Sequence, residues 1–178
     1  MTEEIQRVLI TRQEIREKVR ELAAKISEDY HGRRLVLVGV LKGAFIFLAD
    51  LVRELTIPVD IDLIAVSSYG PGKYTSGVVM LLKDLDISIE GRHVLIVEDI
   101  IDTGLTLEYL SENLKTRNPE SVRICALLNK PEKRKTDICV DYTGFSIPDE
   151  FAVGYGLDFN EKYRQLADIC VLRPEAYK

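Results

Sequence analysis

The sequence predicts an α/β fold, a doubly wound, mostly parallel central sheet flanked by helices with a small cap subdomain, and three observations point that way. Runs such as RLVLVGV (Arg34 to Val40) and RHVLIVE (Arg92 to Glu98) have unbroken apolar centres, the mark of strands buried on both faces. Helical patterns alternate with these runs, as crossovers between parallel strands require. The length, 178 residues, suits one domain rather than two. That domain is expected to span 1–178, with a core over about 11–140 and a cap made from the N-terminal segment and about 141–178.

Taken in order, Thr11 followed by Glu14 forms a capping-box pattern, and Ile15, Val19, Leu22 and Ile26 recur at helical spacing until His31-Gly32. Arg34 to Val40 is a strand, Lys42-Gly43 a turn, and Ala44, Leu48, Leu51 and Leu55 one face of a second helix. VDIDLIAV (Val59 to Val66) is the next strand and Arg92 to Glu98 a buried one. Leu107, Leu110 and Leu114 line a third helix that stops before Pro119, and SVRICALL (Ser121 to Leu128) is another strand. From Tyr142 onward, with Pro148, Gly154 and Gly156, the chain reads as irregular and suited to a cap. Ligands of such sheets collect at the carboxyl ends of the strands, so the residues after Val40, Val97 and Leu128 are the first place to look for chemistry.

Composition narrows the function. The chain carries 24 Lys and Arg against 29 Asp and Glu, a net charge of −5, which argues against a broad nucleic-acid surface. The one basic knot, KPEKRK (Lys130 to Lys135), is small enough for a solvated loop. The most apolar stretch, Leu35 to Ala49, is interrupted by Lys42 and falls short of the roughly 20 residues that a bilayer requires. MTEEIQRVLI has acids where a signal peptide has bases, so a cytoplasmic protein with no membrane partner is expected. Cys125, Cys139 and Cys170 read as buried thiols without disulfide or metal roles, and His31 and His93 are too few for zinc.

The most informative segment is VLIVEDIIDTGLT, Val94 to Thr106. A buried strand delivers Glu98 and Asp99, and Asp102-Thr103-Gly104-Leu105-Thr106 then opens a helix. A helix start offers unpaired amides and partial positive charge, Gly104 lets a phosphate approach the backbone, and Thr103 and Thr106 add hydroxyls. The simpler alternative is that Asp102 or Thr103 merely caps the helix. Two adjacent carboxylates ending an apolar strand are costly unless paired, solvated or bound to a cation. Beside a phosphate they make electrostatic sense with a divalent ion or a cationic transition state between them, and Mg²⁺ with a sugar diphosphate meets both conditions. Neither common nucleotide loop is present: Gly72-Lys73 is followed by Tyr74 and preceded at the required spacing by Ser67, and no G-x-G-x-x-G follows a strand.

The same segment resembles the signature of the type I phosphoribosyltransferases, in which a hydrophobic strand, two acids and a T-G-x-T loop hold 5-phosphoribosyl 1-diphosphate. VEDIIDTG, VLVGVLKG (Val36 to Gly43), SSYGPGKYTSG (Ser67 to Gly77), LLNKPEKRK (Leu127 to Lys135) and FAVGYGLDFNEKYR (Phe151 to Arg164) are together similar to its bacterial hypoxanthine (hypoxanthine-guanine) branch. These motifs run in order over nearly the whole chain. The resemblance implies the type I phosphoribosyltransferase fold, purine salvage with Mg²⁺ as cofactor, and a purine base and 5-phosphoribosyl 1-diphosphate as partners. Relatives in that family are dimers or tetramers, so a homodimer or homotetramer is expected, with Phe45 and Phe47 flanking the turn where contacts would form.

The resemblance also assigns roles. Glu98 and Asp99 would lie at the ribose hydroxyls and, with Asp158, hold Mg²⁺. Asp102 would manage the proton at ring position 7 of the base, while Asp102, Thr103, Gly104, Leu105 and Thr106 cradle the 5′-phosphate. Leu41, Lys42 and Gly43, with a cis Leu41-Lys42 peptide, and Arg164 would bind diphosphate. A surface ion pair with Glu161 is the plainer role for Arg164. Ala44 departs from the second Gly that many relatives carry. Lys130 would donate to the six-position oxo group, Phe151 would stack on the purine, and Ala152 would add backbone contacts beside Asp158. Taken singly, Lys130 reads as solvated and Phe151 as core. Ser68 and Tyr69 would belong to a lid over Ser67 to Gly77 that excludes water.

Two other functions remain open on sequence. A sister specificity such as xanthine shares the oxo group that Lys130 reads. A regulator that kept the fold to sense metabolites and bind RNA or DNA is opposed by the net charge, the absence of a winged helix and the intact Glu98, Asp99, Asp102 and Asp158 set.

Overall fold

The computed structural model describes residues 3–68 and 79–177. Among the described residues nine strands, β1 (Ile5–Ile10), β2 (Leu35–Leu41), β3 (Val59–Ser68), β4 (Val79–Lys83), β5 (His93–Ile101), β6 (Ser121–Asn129), β7 (Tyr142–Ser146), β8 (Ala152–Val153) and β9 (Ile169–Leu172), accompany helices α1 (Arg12–Asp29), α2 (Phe45–Glu54) and α3 (Leu105–Lys115). The central sheet runs β4-β3-β2-β5-β6-β7, parallel throughout except for the antiparallel edge strand β4.

Alternation along the strands builds two apolar layers. On β2, Leu35 and Leu37 face one core with Phe47, Leu48 and Leu51 of α2 and the buried stripe of α1. Val36, Val38 and Val40 face the other, under Leu107, Leu110 and Leu114 of α3. With helices on both faces the sheet is doubly wound, as its runs of Val and Leu require. Thr11 caps α1 as its spacing predicts, its Oγ1 accepting from the Glu14 amide at 3.3 Å while Glu14 Oε2 accepts from the Thr11 amide at 2.8 Å.

The chain order places the site. From β2 the chain crosses through α2 to β3 on one side, and from β5 through α3 to β6 on the other, so direction reverses between neighbours β2 and β5. A crevice opens at such a switch point, at the carboxyl ends of the strands. Above it, β1-β9-β8 form a separate antiparallel sheet around Ile5, Val153, Tyr163, Cys170 and Leu172.

Several expectations are corrected. The chain from Tyr142 onward is not simply irregular: Tyr142–Ser146 is the sixth strand of the main sheet, held by the Tyr142 hydroxyl donating to Asp29 at 2.6 Å, so the core sheet continues past the expected edge near 140. Cys139 is exposed, whereas Cys125 and Cys170 are buried. Phe47 lies wholly inside the α2 core and only Phe45 reaches the surface, 45% exposed. No helix among the described residues is long and apolar enough to cross a membrane.

Candidate active site

Strand β5, paired on both sides, ends in the crevice and delivers Glu98 and Asp99, both buried at 8% exposure. The Asp99 amide donates to Glu98 Oε1 at 3.2 Å and the Ile100 amide to Asp99 Oδ1 at 2.8 Å. Burial pushes both carboxyls above the usual carboxylate range, Glu98 further because the Asp99 charge lies beside it.

The turn after β2 rests on this acid. The Leu41–Lys42 peptide is cis, and Gly43 sits so close that a Cβ there would strike Asp99 Oδ2 and come 2.5 Å from its Cγ. Only hydrogen fits at that position.

After β5 the chain turns through Asp102 and Thr103 into α3. Its N-cap is Gly104, at φ +87°, with no side-chain capping bond, and Thr103 Oγ1 reaches the Leu105 amide only at 3.4 Å. Asp102 is therefore not the helix cap, and its Oδ1 is buried with no partner among the described residues. Helix α3 thus begins without an N-cap side chain, a favourable setting for an anion. The loop after β6 supports this turn from behind: the Lys135 amide donates to Thr103 O at 2.8 Å, and Thr136 packs against Gly104.

Lys130, at the end of β6, is not the solvated lysine that its type suggests. Its residue exposure is 7%, and its amide donates to Ile101 O at 2.9 Å. Phe151 precedes β8 and is half-buried, with Phe159 against it edge-on at 5.4 Å and Tyr177 stacked at 4.8 Å. Arg164 donates to Gly156 O at 2.8 Å and pairs with Asp158 at 2.9 Å and Glu161 at 3.2 Å, so the ion pair with Glu161 exists as one of two. Lys42 reaches the same Glu161 at 2.9 Å, a pair that is 65% exposed on both sides.

A cavity of about 330 Å³ gathers nine of the residues that the sequence singles out: Lys42, Gly43, Asp99, Asp102, Lys130, Phe151, Ala152, Asp158 and Arg164. Glu98, Leu41 and Thr103 to Thr106, which the sequence also singles out, do not line it. A larger space of about 630 Å³ between α1, α2 and the segment after Arg164 holds none of them. We assign the chemistry to the smaller one, since buried Asp99, buried Lys130 and Asp102 line it together.

Residues 9–160 match the family model for the phosphoribosyl transferase domain. The chain belongs to the phosphoribosyltransferase family. Hypoxanthine-guanine phosphoribosyltransferase of Bacillus subtilis is 48% identical over 178 residues, covering 100% of this chain and 99% of that protein. A hypoxanthine phosphoribosyltransferase structure from Staphylococcus aureus superposes with a TM-score of 0.95 at 46% identity, covering 98% of this chain and 95% of the other. A hypoxanthine-guanine phosphoribosyltransferase from Bacillus anthracis, with HEPES in its active site, gives 0.92 at 49% identity, covering 96% and 100%. The type I phosphoribosyltransferase fold expected from the motifs is the fold observed.

Two wall residues of this phosphoribosyltransferase escape the sequence analysis, Ile100 and Leu157. Both sit inside quoted motifs, and the signal for Ile100 is its place directly after the acids. Ser68 ends β3, while Tyr69 and the rest of the expected lid through Gly77 lie outside the described residues. Among the described residues no three His, Cys, Asp or Glu side chains form a ready-made metal cage.

Proposed function

We propose that this phosphoribosyltransferase moves the 5-phosphoribosyl group from 5-phosphoribosyl 1-diphosphate to hypoxanthine or guanine, giving IMP or GMP plus diphosphate in purine salvage. The observation that carries the reading is the crevice lined together by buried Lys130, buried Asp99 and Asp102, whose Oδ1 has no partner among the described residues, with Glu98 next to Asp99 on β5 and the start of α3 following Asp102 in the chain. Full-length similarity to hypoxanthine-guanine phosphoribosyltransferases supports the same reaction.

In this account the amides from Thr103 to Thr106 and the Asp102 backbone hold the 5′-phosphate, and Leu41, Lys42, Gly43 and Arg164 hold diphosphate. Lys130 donates to the six-position oxo group, which an amino group would repel, so adenine is rejected. Phe151 stacks on the purine and Ala152 supplies backbone contacts. The purine nitrogen bonds to the ribose carbon as the bond to diphosphate breaks. The bonding pair leaves with diphosphate, and the proton from the base passes to Asp102. Glu98 and Asp99 orient the ribose hydroxyls and stabilise the positive charge that develops on the ring.

The residues fit Mg²⁺: two adjacent buried carboxylates whose burial disfavours their charge are relieved by a divalent cation, and Asp102 Oδ1, nearby in sequence, is a buried acceptor with no partner among the described residues. Glu98 and Asp99 would hold one ion, and Asp158, now paired with Arg164, a second. Bound there, Mg²⁺ would neutralise charge on the leaving diphosphate. Ser68 and Tyr69 would act as a lid, one domain over 1–178 would carry core and cap, and a cytoplasmic homodimer or homotetramer would use the exposed Phe45 face.

The test is product formation with Mg²⁺ and 5-phosphoribosyl 1-diphosphate, offering hypoxanthine, guanine, xanthine and adenine separately. Oxopurines are expected to react and adenine not. Asp102→Asn should lower kcat by about 10²–10⁴ while the sugar diphosphate still binds. Failure of every base in protein that binds the sugar diphosphate would refute the reading and favour a sensor.

A further inference from the structure

We propose that Asp149 is the positioning residue that aims the Lys130 ammonium at the base and so sets affinity for the oxopurine; the inference rests on the proposed reaction. A lysine buried to this extent needs a compensating charge, since an unpaired ammonium in an apolar wall is strongly disfavoured. Among the described residues the one acidic group within 4.0 Å of Lys130 Nζ is Asp149, its Oδ1 at 3.6 Å. That separation gives Coulombic attraction without a full hydrogen bond, so the three ammonium donors stay available to a ligand. A closer acid would occupy them, and none would leave the charge unbalanced.

Asp149 is itself fixed from outside. Lys133 Nζ meets the same Oδ1 at 2.9 Å, and this hydrogen bond holds the Asp149 carboxyl below the usual carboxylate range. The segment that carries it is tied down at both ends. The Ile147 amide donates to Asn129 O at 2.9 Å, the Glu150 amide to Pro148 O at 2.8 Å, and the Glu150 side chain pairs with Arg7 of β1. Two residues further on stands Phe151. One short segment therefore sets both the ring under the base and the carboxylate that orients the lysine at its edge. A sequence scan passes over Asp149, because its partner lies 19 positions away on the end of another strand.

The test compares Asp149→Asn, Asp149→Glu, Lys130→Met and the Asp149→Asn/Lys130→Met pair in the full chain. KM for hypoxanthine and guanine, KM for 5-phosphoribosyl 1-diphosphate, kcat and the melting midpoint are read for each. Asp149→Asn should raise KM for the base about tenfold, with kcat and KM for the sugar diphosphate within about twofold, and Asp149→Glu should recover most of the loss. In the Lys130→Met background the same change should add less than about twofold, because the carboxylate acts through the lysine. An unchanged base KM in Asp149→Asn overturns the inference. So does a full tenfold rise without Lys130, or a parallel loss in every parameter together with a lowered melting midpoint. Failure of the reaction itself would show differently, as no product from the unaltered chain.

Discussion

The contact between Gly43 and Asp99 makes the sharpest forecast, because it joins the turn after β2 to the acid on β5 with no room for a methyl group. A Cβ on residue 43 would meet Asp99 Oδ2 and stand 2.5 Å from Cγ and 3.0 Å from Oδ1. Ordinary contact is about 3.4–4 Å, so the carboxylate carbon must retreat by about 1 Å and Oδ2 by more. It cannot swing freely, since its Oδ1 accepts from the Ile100 amide at 2.8 Å. A displacement of about 1 Å at a positioned group costs about 10²-fold in rate, and overpacking costs about 1–3 kcal/mol of stability. For a chain of this size that is a fall in melting midpoint of about 2–12 °C, eased slightly by the entropy that alanine removes from the unfolded state. Gly43→Ala should therefore lower kcat/KM about 100-fold and melt measurably earlier. In an Asp99→Ala background the same substitution should cost almost nothing in stability, because the clashing atoms are gone. Full activity in Gly43→Ala, or a stability loss equal in both backgrounds, would refute the claim that turn and acid are in contact.

Two further outcomes concern the scaffold. Thr11→Ala removes the hydroxyl half of the α1 capping box, leaving the Thr11 amide still donating to Glu14, and should cost about 1 kcal/mol, seen as a melting midpoint about 2–4 °C lower with kcat/KM unchanged. Arg117 clasps Asp84 through two hydrogen bonds at 2.8 and 3.1 Å, and these hold the Asp84 carboxyl below its usual range. A depressed folded value means that the pair's stabilisation is complete above the unfolded pKa, about 3.9, and disappears as pH falls through the lower folded one. The ion pair's share of the midpoint gap between wild type and Arg117→Met should be at most about 4 °C at pH 7, and the gap should narrow in acid to what the Arg117 bond to Asn113 contributes; a gap that widens in acid would show the sign to be wrong.

The sequence was informative where local chemistry and tertiary need agree. The α1 cap, the buried strands and the stripe on α3 are each fixed by residues close in the chain, and all appear where expected. The cap sheet was not legible, because β1, β8 and β9 are short, and β1 is mostly exposed, so its pattern does not alternate cleanly. Strand β7 escaped because it is only five residues long: Tyr142, Thr143 and Phe145 favour a strand, but Gly144 interrupts them and the burial pattern does not alternate, so pairing with β6 sets the element. At the site, Glu98 and Asp99 announced themselves as charges at the end of an apolar strand. Lys130 did not, since lysine ordinarily keeps its ammonium in water and only the folded chain shows what covers it.

That contrast bears on how the crevice is built. Its acids come from the centre of the sheet, on a strand paired on both sides, where the backbone cannot adjust. The residues proposed to face the base come from segments outside the regular elements, Lys130 just after β6 and Phe151 just before β8. The loop proposed to hold the phosphate follows β5, with Arg134 and Thr136 packed against its Gly104. A rigid centre suits the charge that develops on the ribose, where preorganised groups give most when they need not move. Loop-borne contacts suit a base that must enter and leave. If this division holds, substitutions on the loops should redistribute preference among oxopurines through KM, while those on β5 should lower kcat for every base alike. A loop variant that depressed kcat equally for hypoxanthine and guanine, with both KM values unchanged, would show that the two parts of the crevice do not act separately.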